Sequence, residues 1–227
     1  MLKKILDCLS KVFFVLAYRG FKVPQWGRTT PDLKTVIMLP EFQIATIMEK
    51  DTDVEEPVNQ ILEKAMGIPV RSKSLPSAVK VISRHKWIGI DMVNEGFGLN
   101  QAVYMIGTIS VVPQGSTILV EEPEIHLHPK AQYMLIQKVL EYAKEYDKQL
   151  VVTTHSEHIL AGALKAVGSK KLTPEEIKVY YVEKKDLRTK CSFMKVHQDG
   201  SIEGGLKGFF EQDFMELRDL LELMKKG

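Results

Sequence analysis

The chain has 227 residues, 44% hydrophobic and 26% charged, the balance of an ordinary soluble globular protein with enough apolar material for a sizeable core. Its formal charge of +2 is too small to argue for or against a nucleic-acid or membrane partner. Only two cysteines occur, Cys8 and Cys191, outside any metal-ligand spacing, so a reduced, cytoplasmic protein is expected.

Lys3 and Lys4 precede an apolar stretch, Ile5–Ala17, that superficially resembles a signal peptide. Asp7, Ser10 and Lys11 interrupt it, no small-residue cleavage site follows, and it is too short to span a bilayer. A buried strand or helix is expected there instead, with Phe13–Ala17 as a strand running into Tyr18-Arg19-Gly20 and then a loop marked by Pro24, Gly27 and Pro31. Arg19, alone in that turn, is within the chemistry of a phosphate contact but is read first as a surface or ion-pair residue. Glu41–Glu49 and Val58–Met66 carry helical periodicity, and the acidic run Asp51–Glu56 is read as a solvated connection between them. Val79–Ile82 and Trp87–Ile90 are predicted strands. Residues 1–90 thus hold several elements but no obvious core of their own, and a division into 1–90 and 91–227 is expected.

Asn94-Glu95-Gly96-Phe97-Gly98-Leu99-Asn100-Gln101 leads into a helical run, Ala102–Ile109. Glycine-rich turns at helix N-termini present backbone N–H groups in a partly positive field, which suits a phosphate, although two glycines also serve a plain turn. No lysine followed by Ser or Thr closes the turn, so it is not a P-loop. Pro113-Gln114-Gly115 then turns the chain into STILVEEPEIHLHP, Ser116–Pro129. Thr117–Val120 reads as a strand buried on both faces, and Pro123 stops it directly after the adjacent carboxylates Glu121 and Glu122. Two such neighbours repel unless a cation is near. Pro129 opens a helix to about Asp147 with an apolar face at 131, 135, 136, 139, 140 and 143. A second strand, Leu150–Thr154, ends on His155, and Ser156 N-caps a helix to Val167. This alternation predicts an α/β fold with parallel strands and right-handed crossovers. In such sheets ligands sit at the carboxyl ends of strands.

The tail changes character. Thr173–Glu176 reads as a capped turn, Ile177–Glu183 and Cys191–His197 as strands joined to a turn at Gln198-Asp199-Gly200, and Phe209–Lys226 as an amphipathic helix.

STILVEEPEIHLHP resembles the Walker B motif and D-loop of ABC-type ATPase heads, specifically those grouped with SMC, RecF and overcoming-lysogenization proteins. Thr153–His158 resembles their switch-histidine loop, Asn94–Gln101 falls where their signature motif belongs, and Gly208–Phe214 resembles the G-F-F-D-x-D close of one branch. The resemblance covers about residues 90–215. It implies a P-loop NTPase-like, mostly parallel sheet with flanking helices, incomplete at the N-terminus, that binds ATP and Mg²⁺. Glu121 would hold the metal through water, Glu122 would be the general base, and His155 would contact the γ-phosphate. Gly96, Gly98, Asn100 and Gln101 would meet the γ-phosphate of an ATP bound to another protomer. Glu124 and His126 would lie on an ATP-dependent dimer interface. DNA enters only as a family analogy, and no membrane partner is implied. Glu121 stands where Asp is common, and the signature departs from the L-S-G-G-Q form of transporters.

No G-x-x-x-x-G-K-[ST] occurs in the 227 residues. By the resemblance, the chain is the C-terminal part of an ATPase head, an ATP hydrolase inactive alone, whose Walker A segment comes from another chain. Two other readings stand beside it. One is a non-catalytic remnant or interaction module. The other is a hydrolase whose zinc or iron is held by His126, His128, Glu124, His155 and His158.

Overall fold

The computed structural model describes residues 10–27 and 38–204. Strand β1 (Val12–Val15) leads to a short β2 (Trp26–Gly27), helices α1 (Glu41–Lys50) and α2 (Thr52–Met66), and strands β3 (Val70–Ser74), β4 (Ala78–His85) and β5 (Ile88–Asp91). Helix α3 (Phe97–Val111), β6 (Thr117–Glu121), α4 (Pro129–Glu145), β7 (Gln149–Thr153) and α5 (Glu157–Gly168) follow. The remaining strands are β8 (Val179–Lys185) and β9 (Arg188–Met194).

Strands β1, β6 and β7 form a parallel sheet in that order, with Val15 beside Val120 and Glu121 beside Thr153. The α/β expectation is therefore met. One face of this sheet, carrying Phe13, Val15, Ile118 and Val120, is buried in the core with α3 and α4. The other is not. Phe14 and Leu119 are half-buried and Val151 is 47% exposed, which corrects the expectation of burial on both faces. A run of apolar residues announces a strand but not how many of its faces are covered.

The acidic run Asp51–Glu56 is also corrected, since it forms the first turn of α2. The Asp51 side chain accepts the Asp53 N–H at 2.9 Å, and carboxylates favour the positive end of a helix. Gly67, at φ 74°, ends α2 in the left-handed region that suits glycine. Strand β3 was absent from the sequence reading because VRSKS has only one buried apolar residue, Val70. Tertiary hydrogen bonds hold it instead. Asn59 Oδ1 accepts the Val70 N–H at 3.0 Å, and Glu55 Oε1 accepts the Ser72 N–H at 2.5 Å. Strands β2, β3 and β5 all pair antiparallel with β4.

Helix α3 is buried along nearly its whole length and joins β1, α1, α2 and α4 in one core. The chain divides into two compact units between Gly162 and Ala163. In the second unit, β8 and β9 pair antiparallel, each beginning within three residues of the expected start. A capping box at Thr173–Glu176 and an Asp199–Ser201 turn form as expected. The tail helix Phe209–Lys226, the Gly208–Phe214 close and Ile5–Leu9 lie outside the described residues. Among the described residues no helix is long and apolar enough to cross a membrane.

Lys148 closes the far end of α3. Its Nζ donates to Ile109 O at 2.6 Å and Ser110 O at 3.1 Å, beneath the Tyr142 ring at 5.1 Å. A cation on the last carbonyls of a helix complements the dipole, but burial pushes this ammonium down to about 8. The folded chain then loses the proton before the unfolded chain does. Stability should rise as pH passes from about 8 toward the unfolded lysine value near 10.4. Urea midpoints between pH 7 and 10 check this, and Lys148→Met should flatten the rise.

Candidate functional site

The carboxyl ends of β6 and β7 meet side by side. Glu121 is the last residue of β6 and is exposed, and its Oε2 accepts the Ala17 N–H at 3.1 Å. Glu122 turns out of the strand at φ 42°, a conformation that costs a non-glycine residue about 1 kcal/mol. Its N–H still donates to Thr153 O at 2.8 Å, so the carboxylate pair is anchored to β7. Pro123 then stops the ladder, as its sequence position implied.

Arg19 decides this geometry. It is 7% exposed, and its Nη1 donates to Glu121 O at 2.7 Å and Leu16 O at 3.1 Å, while Nη2 donates to Glu122 O at 3.0 Å. The guanidinium thus ties the end of β1 to the backbone of both carboxylates. Burial draws it down to about 10, opposed by the charges of Glu124, Glu122 and Glu121. The reading of Arg19 as a surface or ion-pair residue is corrected, because its partners are three carbonyls that no sequence pattern announces.

Beyond Pro123 the chain turns tightly, with Ile125 N–H on Glu122 O and Leu127 N–H on Glu124 O. Glu124 Oε1 accepts the His155 N–H at 2.8 Å, and its buried Oε2 has no partner. His155 is exposed at the end of β7. Gln132 on α4 braces both loops, donating to Leu127 O at 2.8 Å and accepting from Ser156 Oγ at 2.5 Å. Ser156 Oγ in turn accepts the His158 N–H, the predicted N-cap of α5. Sequence reading passed over Gln132, which looks like any helix-surface glutamine.

The glycine turn lies against the same loop. Gly96 is the N-cap of α3, and Phe97, 72% exposed, packs its ring on His126 at 5.7 Å. Gly98 is buried, and any Cβ there would collide with the His126 carbonyl. Asn100 and Gln101 are 6% and 7% exposed. The Asn100 amide is fully engaged, accepting the Phe21 N–H at 2.6 Å and donating to Phe21 O and Met92 O. Their side chains therefore face the interior. The Asn100 side chain is thereby spent on a structural role, and the Gln101 Oε1 is buried without a partner.

The histidines do not gather. His128 caps α4 by accepting the Lys130 N–H, and His126 sits at φ 59° in the turn. Among the described residues no three His, Cys, Asp or Glu side chains form a metal-holding group. A zinc or iron hydrolase lacks its ligands here. Mg²⁺ asks less, being held by one or two carboxylates together with phosphate oxygens and waters. The exposed Glu121 carboxylate fits that demand.

Residues 34–160 match the profile of a family described as the AAA ATPase domain. A solved structure from work on ATP-driven dimerization and DNA-stimulated activation of SMC ATPases superposes with a TM-score of 0.52 at 14% identity, covering 77% of this chain and 97% of that one. An Smc head bound to the C-winged helix domain of ScpA gives 0.50 at 14% identity over 69% of this chain, which spans about half of that one (49%). At such identity the likeness is one of fold, the α/β, P-loop NTPase-like architecture of SMC heads. No curated protein sequence matches the chain.

Proposed function

Because the chain belongs to the AAA ATPase domain family, we propose that it is the hydrolytic part of an ATPase head whose Walker A loop lies outside these 227 residues. One observation carries this reading: Glu121 ends β6 beside Thr153 of β7, Glu122 donates its N–H to Thr153 O, and His155, two residues beyond β7, donates its N–H to Glu124. That place is where open α/β sheets bind ligands. The lack of a G-x-x-x-x-G-K-[ST] within these 227 residues, and the part-exposed sheet face at Phe14, Leu119 and Val151, support a further segment docking beside it.

Each residue then has a task. Mg²⁺, when bound with ATP, neutralises charge developing on the β- and γ-phosphates. Glu121, steadied by the Ala17 N–H, would hold a water of that ion. Glu122 accepts the proton of the attacking water, and its left-handed backbone turns it away from the course of β6. His155, whose N–H is fixed by Glu124, hydrogen-bonds the γ-phosphate. Gly96 and Gly98 offer backbone N–H groups at the start of α3 to the γ-phosphate of a neighbouring protomer, and Asn100 ties the first turn of α3 to Phe21 and Met92. Glu124, His126 and Phe97 line the dimer face. SMC ATPases dimerize in an ATP-driven manner, and the same behaviour is proposed here. The cytoplasm is the proposed compartment.

Phosphate release and sedimentation, measured on the chain alone and mixed with a P-loop-bearing partner of the same family, test the reading. Turnover and ATP-dependent association should emerge only in the mixture. Micromolar ATP binding by the isolated chain would defeat the shared-site proposal, and no turnover in any mixture would leave a non-catalytic interaction module.

A further inference from the structure

Far from the carboxylates, the outer face of the antiparallel sheet has an unusual make-up. The register β3–β4–β5 puts Arg71, Lys73, Lys80, Ile82, Arg84, Gly89 and Asp91 on one side, because side chains alternate along strands. Val79, Val81 and Ser83 point the other way and are buried. The outer face thus carries four cations and one acid, and Lys86 adds a fifth cation from the β4–β5 turn. Asp91 is taken by Lys80 at 2.6 Å, and Arg71 lies 3.3 Å from Glu56. Lys73, Arg84 and Lys86 make no ion pair among the described residues.

Three features point to a ligand rather than to a solvated face. Lys73 stands directly opposite Lys80, whose charge is met by Asp91, so the Lys73 ammonium is left beside a second cation with no acid of its own. The two-residue turn joining His85 to Ile88 is Lys86-Trp87, with Lys86 at φ 55°, where Asn-Gly would be preferred. It leaves Trp87 98% exposed and Ile88 66% exposed. Gly89, opposite Arg84, keeps the floor of the groove open, since a Cβ there would press on Ile82 at 3.2 Å. Lys73, Lys80, Arg84, Lys86 and Trp87 line a single groove.

We propose that this groove binds single-stranded nucleic acid, with a base stacked on Trp87 and phosphates on Lys73, Arg84 and Lys86. A free indole beside cations spread along a groove is the combination that holds single strands, since bases stack on aromatic rings while the backbone follows positive charge. An anionic membrane fits less well. The apolar tip consists of Trp87 and Ile88 alone, against the broad apolar face an interfacial anchor needs. The proposal uses no residue of the nucleotide site and does not depend on the ATPase reading.

Anisotropy of a labelled oligothymidylate of about 16 nucleotides, titrated with the full chain without ATP, tests it. Trp87→Ala should weaken binding by roughly one to two powers of ten. The triple variant Lys73→Gln, Arg84→Gln, Lys86→Gln should make the slope of log K against log salt shallower by about 2, from roughly 0.7 per lost phosphate contact. These side chains lie at the surface, so thermal melts should stay unchanged. Unaltered affinity in both variants would overturn the proposal. So would binding to phosphatidylserine vesicles but not to the oligomer, or preference for duplex that is indifferent to Trp87.

Discussion

Replacing Glu122 by Gln should lower ATP turnover of the assembled head by about 10²–10⁴ and leave its thermal melt in place. The amide keeps the size of the side chain and cannot take a proton from water. Stability should be spared because the anchoring contact at this position is main-chain, the Glu122 N–H on Thr153 O at 2.8 Å, which the substitution does not touch. ATP-dependent association should persist or strengthen, since binding is retained while hydrolysis is removed. A single-turnover phosphate assay on the mixture with a P-loop partner reads the effect. Turnover within a factor of three of the parent would remove Glu122 from the chemistry.

The second large effect is on stability. Arg19→Met should cost about 3 kcal/mol, which for a chain of this size lowers the melting temperature by roughly 6–12 °C. The methionine fills part of the space but removes the donor from Leu16 O and Glu121 O and leaves Glu122 O with the Ile125 N–H alone. Arg19→Lys should rescue little. One ammonium at the end of a flexible stem cannot reproduce a planar fork that spans two neighbouring carbonyls. Circular dichroism melts check the stability. ATP turnover in the mixture should also fall for both variants, because the backbone of the two carboxylates is no longer tied to β1.

The parts of this protein that local chemistry dictates were legible in the residues. A β-branched run stopped by Pro123 gave β6 its end, Pro129 and its apolar face gave α4, and Ser156 capped α5. Those three signals were enough to bring Glu121, Glu122 and His155 to neighbouring strand ends. Periodicity failed where the stabilising contacts come from elsewhere in the chain. Strand β3 has almost no apolar pattern and is held by Asn59 and Glu55 of α2. The acidic run before Pro57 looked solvated because its helical partner, the positive end of α2, exists only once the helix forms.

The outer basic groove follows the same logic. Lys73, Lys80, Arg84 and Lys86 are scattered over fourteen positions in a chain of net charge +2, and only cross-strand register collects them on one side. Glycine gave an equally plain case. Gly96 and Gly98 looked alike in sequence, yet one is a helix cap and the other a close contact under the His126 carbonyl.

Sequence alone therefore determined the residue types of the candidate site, their order and the strands that carry them, because strand ends and helix caps are set by neighbours a few residues away. Tertiary structure alone decided which polar groups are spent inside. Asn100 is sealed beside Phe21, and Arg19 is buried on three carbonyls. Burial and long-range hydrogen bonding join residues about 80–100 positions apart, and no local pattern encodes such a partner.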